Sequence, residues 1–162
     1  MTGGDTICAI SSAAGPAGRT IVRVSGPEAV ALAAATAEPV REMAGGEARR
    51  LTLHLAGMLV PAWVYVFRGP RSYTGEDIVE LHLPGNAILA RMVLDDLIRR
   101  GARPAEAGEF TARAYFNRRM DLTEAEGVAA AVSAGSEREL IAARQLLAGE
   151  LARRLSPMMD QL

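Results

Sequence analysis

Apolar residues in this chain are arranged in two different ways, and the change between them limits the folds open to it. Up to residue 83 they come mainly as short β-favouring runs broken by Gly, Pro and small polar residues: Thr6–Ile10, Thr20–Val24, Leu51–Leu55, Val60–Phe67 and Ile78–Leu83. From Thr123 they recur at helical spacing, in Ala125, Val128, Ala129 and Val132 and again in Leu140, Ala143, Leu147, Leu151 and Leu155. Strands with interleaved helices, followed by a purely helical run, predict an α+β domain over residues 1–119 and the first helices of a second, helical domain over 120–162. Pro157 interrupts that last pattern, yet Met158, Met159 and Leu162 keep it going to the final residue. A helix that stops in mid-pattern predicts truncation or an unseen partner.

Smaller signals fill in the first part. In "TIVRV" Arg23 lies between Val22 and Val24 and points to the opposite face of its strand. Ser25 and Glu28 have capping-box spacing, which predicts a short alanine-rich helix to about Thr36. Residues 37–50 predict a loop. Leu51–Leu55 and Val60–Phe67 are close enough for a hairpin, with His54 on the polar face. Pro84-Gly85-Asn86 ends a strand and opens a helix carrying Ile88, Leu89, Met92, Val93 and Leu97. An Arg91, Asp95, Arg99 ladder lies on another face, and Gly101 ends the helix. Thr123 with Glu126, and Ser136, predict the caps of the last two helices.

Composition excludes several chemistries. All 18 basic residues are arginine. Without lysine there is no phosphate-binding P-loop and no Schiff-base chemistry. One cysteine, Cys8, and two separated histidines, His54 and His82, do not make a structural zinc site. Cys8 allows no internal disulfide, which fits a reducing cytoplasm; in its apolar run it reads as a small buried hydrophobe, with a reactive nucleophile as the alternative. No apolar run reaches the roughly 18 residues of a membrane span, and no signal peptide is evident. A net charge of −1 gives no overall drive toward nucleic acid.

One stretch does not fit a plain structural reading. "RSYTGEDIVELH" places the acids Glu76, Asp77 and Glu80 at the start of and inside an apolar strand. Buried charges are costly unless paired. Either these acids face water, Glu80 as a solvent-facing acid on an edge strand, or they face a ligand that wants a carboxylate. Glu76 and Asp77 fit a turn held by backbone N–H contacts.

The pieces "DTICAI", "IVRVSGPEA", "PRSYTGEDIVELH", "EAGEFTARAYFNRRMDLTEAEGV" and "LLAGELARRL" resemble the N-terminal part of the MnmE (TrmE) tRNA modification GTPases, in the same order and at similar spacing; residues 27–62 match weakly. The resemblance implies a fold like the folate-binding domains of aminomethyltransferases. It implies binding of 5-formyltetrahydrofolate or a related one-carbon tetrahydrofolate, and constitutive homodimerisation. It also implies an enzyme family that hydrolyses GTP and, with the FAD-dependent partner MnmG (GidA), modifies the C5 position of the wobble uridine (U34) in tRNA. GTP, magnesium and potassium would bind in a G domain that this lysine-free sequence does not encode, so no residue here is expected to be catalytic. A cytoplasmic location away from membranes is implied.

Residue by residue, the resemblance puts Glu80 and Arg23 at folate-contacting positions and Arg119, in "NRRMDL", where the family often has lysine. One carboxylate suits the adjacent amino and ring N–H donors of a pterin. Arginine suits the carboxylates of the glutamate tail or the formyl oxygen. Glu109, Phe110, Tyr115 and Asn117 are candidates for the pocket or the dimer interface; a solvated charged loop is the alternative for Arg118 and Arg119. Two loops depart from the family pattern: "HLPGN" (82–86) lacks a second histidine and glycine, and "AGPAGRTI" has Arg19 and Thr20 in place of smaller residues. Two other readings compete: a stand-alone folate-dependent transferase or sensor, and a structural homodimer that has lost its ligand.

Overall fold

The structure, a computed structural model, describes residues 4–13, 15 and 17–148. Leu151, Leu155, Pro157, Met158, Met159 and Leu162 lie outside the described residues. The chain divides into two compact units, Met1–Ala107 and Gly108–Leu162.

The first unit is a mixed sheet with packed helices, as the sequence predicts; the sheet has six strands, one more than the sequence runs suggest, and two helices lie on one face. Its strands are β1 (Ile7–Ile10), β2 (Arg19–Ser25), β3 (Glu47–Leu55), β4 (Met58–Phe67), β5 (Ile78–Pro84) and β6 (Arg103–Pro104). They lie in the order β3-β4-β5-β2-β1-β6, antiparallel except for the β1–β6 pair. Helices α1 (Ala29–Ala34) and α2 (Ala87–Arg99) cover the face that carries Val22, Val24, Val64, Val66, Val79, Leu81 and Leu83. Val30, Ala33, Ala90, Val93 and Leu97 complete that core. Strand periodicity then turns Arg23, Tyr65, Glu80 and His82 to the other face.

Several local expectations change. Residues 37–50 are not all loop: a 3-10 turn at Val40–Glu42 precedes β3, which begins at Glu47. The hairpin between β3 and β4 uses only Ala56 and Gly57, both with positive φ (47° and 82°), the conformation that suits the right-handed twist of its strands. Ser25 does not cap α1. Its hydroxyl donates to Glu76 and lies 2.7 Å from the Thr74 hydroxyl, while Gly26 takes a φ of +133°. The N-cap residue of α1 is Glu28, without a side-chain cap; its own N–H donates to Thr6 Oγ1 at 2.9 Å. In α2 the Arg91–Asp95 pair forms, but Arg99 bonds Asp96 rather than Asp95. Ile88 is 73% exposed and outside the core. Asn86 caps α2, its Oδ1 accepting from the Ile88 and Leu89 N–H groups. Gly85 stays because a Cβ there would sit 1.5 Å from the Ala17 carbonyl oxygen.

The second unit holds α3 (Glu109–Phe116), α4 (Leu122–Ser133) and α5 (Glu137–Leu147). The capping box of α4 is Asp121 with Glu124, not Thr123 with Glu126: each accepts the other's N–H at 2.8 Å. Ser136 caps α5 as predicted. Gly127 lets α4 and α5 approach, since a Cβ there would meet the Leu147 backbone nitrogen at 2.8 Å. Leu122, Val132, Leu140, Ile141 and Leu147 stay exposed. No helix among the described residues is long and apolar enough to cross a membrane.

Candidate functional site

The acids of the RSYTGEDIVELH stretch have separate tasks. Thr74 is fully buried where the 68–77 loop meets Ser25. Asp77 closes that loop, accepting from the Gly69 N–H at 2.9 Å and from Arg68 Nη1 at 2.8 Å. That is the turn-holding role expected of it. Glu76 accepts from the Ser25 hydroxyl at 2.8 Å.

Glu80 differs. Its strand, β5, lies between β4 and β2, so Glu80 is not on an edge. Register places Glu80 beside Arg23 on one side and Tyr65 on the other. Arg23 directs Nε (2.9 Å) and Nη2 (2.8 Å) to Glu80 Oε1. His82, two residues along the same strand face, places Nε2 3.0 Å from Oε2. Burial pushes the Glu80 carboxyl up, but the His82 hydrogen bond and the Arg23 charge outweigh it and hold the group below the ordinary carboxylate range. Glu80 is therefore an ionised acceptor. Its oxygens offer about four lone-pair sites, three of which are taken, so one further donor is accommodated as it stands.

The surroundings are aromatic. The Arg23 guanidinium lies 5.6 Å from the centre of the half-exposed Tyr73 ring, and Tyr65 and His82 are 4.4 Å apart between ring centres. His82 Nδ1 is buried without a hydrogen-bond partner among the described residues. In the neutral tautomer that donates Nε2–H to Glu80, Nδ1 is an acceptor.

The structure thus brings Arg23 and Glu80 together. Arg119 belongs to the second unit, at the end of α3. There the Arg118 N–H bonds the Tyr115 carbonyl (3.0 Å) and the Arg119 N–H bonds the Ala114 carbonyl (2.8 Å), with Arg118 at φ +57°. This is a Schellman ending with arginine where glycine is usual, so the backbone of Arg119 is fixed rather than part of an open charged loop. Glu109 and Arg113, one turn apart on α3, form a buried pair at 3.1 Å. The sequence reading missed His82, Tyr65 and Tyr73. His82 shares the strand period of Glu80 and was legible on that ground; Tyr65 needs the register, and Tyr73 needs the path of the loop.

Cys8 is buried, and burial pushes its thiol up to about 11, which fits a packed hydrophobe rather than a nucleophile.

Comparison with known proteins gives consistent matches. The family described as GTP-binding protein TrmE N-terminus matches residues 6–119. A protein named tRNA modification GTPase MnmE from Moorella thermoacetica is 39% identical over 98% of this chain and 36% of its own length. Proteins of the same name from Halorhodospira halophila and Thermus thermophilus are each 40% identical over 98% of this chain, covering 34% and 38% of their lengths. The chain spans about a third of the length of the curated relatives it matches.

Proposed function

The chain belongs to the TrmE N-terminus family, and on that premise we propose that it is the folate-binding and dimerisation module of a tRNA modification GTPase. The observation that carries the reading is Glu80: an ionised carboxylate on an interior strand, on the sheet face turned away from α1 and α2, with one acceptor site left. In this reading the bound group is 5-formyltetrahydrofolate, which supplies the one-carbon unit. Its pterin offers two adjacent donors where Glu80 has one site, so Arg23 gives up one of its two contacts with Oε1 as the ligand enters. The released guanidinium N–H then faces the ligand's acceptors, and Tyr65 and Tyr73 flank the ring. His82 keeps Oε2 in place throughout. Arg119 enters this reading through the family resemblance alone, as a candidate cation for the formyl or carboxylate oxygens. The functional domain is residues 1–119, a boundary supported by the extent of the family match, and 120–162 begins the helical domain.

The wider assignment follows the family resemblance. A homodimer of this module would serve a tRNA wobble-uridine modification carried out with FAD-dependent MnmG. GTP hydrolysis, with its magnesium and potassium, would be supplied by a G domain. Calorimetric titration with 5-formyltetrahydrofolate tests the core of the proposal, with light scattering to measure the mass. The expected result is saturable binding by a dimer, abolished by Glu80→Ala without loss of fold. A folded dimer that releases no heat would instead be a structural copy without a ligand.

A further inference from the structure

Beside the Glu80 cluster lies a groove of about 280 Å³ whose lining includes Gly18, Arg19, Arg50, Trp63, His82 and Pro84. Register explains it. Arg50, Trp63, His82 and Ile21 form one row across β3, β4, β5 and β2, two residues along from the Tyr65–Glu80–Arg23 row. Arg19 stands opposite Pro84, one row further. No acid lines the groove. Arg19 and Arg50 are exposed and form no ion pair among the described residues, in contrast to Arg23, Arg68, Arg91 and Arg103. Trp63, 42% exposed, presents an indole between them. Two unpaired guanidiniums around an aromatic face suit a planar aryl group that carries carboxylates. His82 joins the two places, because its ring lines the groove while its Nε2 holds Glu80.

We propose that this groove is a subsite for the aryl-glutamate arm of the ligand, with Trp63 against the aminobenzoyl ring and Arg19 and Arg50 on the tail carboxylates. The identity of that ligand rests on the folate reading above. Rows two residues apart are separated by roughly 7 Å and the Arg19 row is roughly 13 Å from Glu80, a span that an aminobenzoyl-glutamate extending from a pterin at Glu80 can cover. Arg19, which replaces a smaller residue of the family pattern, then acts as a specificity residue of this chain. Ligands with several glutamates are favoured over those with one, since each added carboxylate meets the same pair of cations.

Trp63 is the only tryptophan in the sequence, so its fluorescence reports on this groove directly. The experiment titrates the protein with p-aminobenzoyl-glutamate and p-aminobenzoyl-triglutamate, which lack the pterin, using free tryptophan amide to correct for absorbed light. Arg19→Ala, Arg50→Ala and the double variant are run in parallel, with calorimetry of 5-formyltetrahydrofolate on each. The expected result is saturable quenching, tighter for the triglutamate and weakened about tenfold by each arginine substitution. The proposal is overturned if quenching is absent or indifferent to both arginines, or if 5-formyltetrahydrofolate binds by calorimetry while Trp63 does not respond. Arginine-dependent quenching by the triglutamate with no heat from 5-formyltetrahydrofolate would sink the pterin site and leave the groove as an aryl-polyanion site.

Discussion

The Arg23–Glu80 pair should behave as a partly buried clamp, and a double-mutant cycle measures how strong it is. Arg23→Ala, Glu80→Ala and the double variant are unfolded in urea, followed by Trp63 fluorescence and far-UV dichroism. An exposed ion pair couples by about 0.2–1 kcal/mol. Breaking a fully buried pair costs about 3–5 kcal/mol. Here the side chains are 25% and 16% exposed and two N–H groups reach one oxygen at 2.9 and 2.8 Å, which places the coupling at about 1–2 kcal/mol. Glu80→Ala alone should cost more, about 2–3 kcal/mol, because it also strands the His82 Nε2–H. The pH dependence follows from the sign of the Glu80 shift. Its folded-state pKa lies below the unfolded value. The contribution is therefore fully present above about pH 5 and is lost as pH falls through the folded pKa. Coupling below about 0.5 kcal/mol at neutral pH, or coupling that persists in acid, would refute a clamped carboxylate.

Two further outcomes follow from the same structure. Arg118→Gly should stabilise the second unit by about 0.5–1 kcal/mol, because Arg118 occupies the left-handed position at the end of α3; thermal unfolding checks this, and a loss of stability would contradict the Schellman ending. Cys8, with its thiol pushed up to about 11, should resist a thiol-reactive disulfide reagent at mildly alkaline pH and react at once in urea; rapid labelling of the native protein would reopen the nucleophile reading.

The runs that made strands legible are those with one buried face. Val22 and Val24 lie inward with Arg23 outward, and Val79, Leu81 and Leu83 lie inward with Glu80 and His82 outward, so alternation alone gave the facing of the site. The first half of β3, Glu47–Arg50, escaped notice because its side chains are largely exposed and carry no apolar period. Caps were misread where two frames fit the same rule. Ser25 had the spacing to cap α1, but a partner 49 residues away took its hydroxyl. Thr123 with Glu126 had the spacing of a box, but the box that forms is Asp121 with Glu124, two residues earlier. The clamp on Glu80 was only half legible. His82 follows from strand period, whereas Arg23 and Tyr65 become neighbours only through register, a property of pairings 57 and 15 residues apart in sequence.

The most direct test of the account is the structure of this protein crystallised with 5-formyltetrahydrofolate. The prediction is a pterin with both adjacent donors on the Glu80 carboxylate, Oε2 still held by His82, and Arg23 drawn off one of its contacts with Oε1. A ligand seated elsewhere, with the Arg23–Glu80 pair intact, would contradict it.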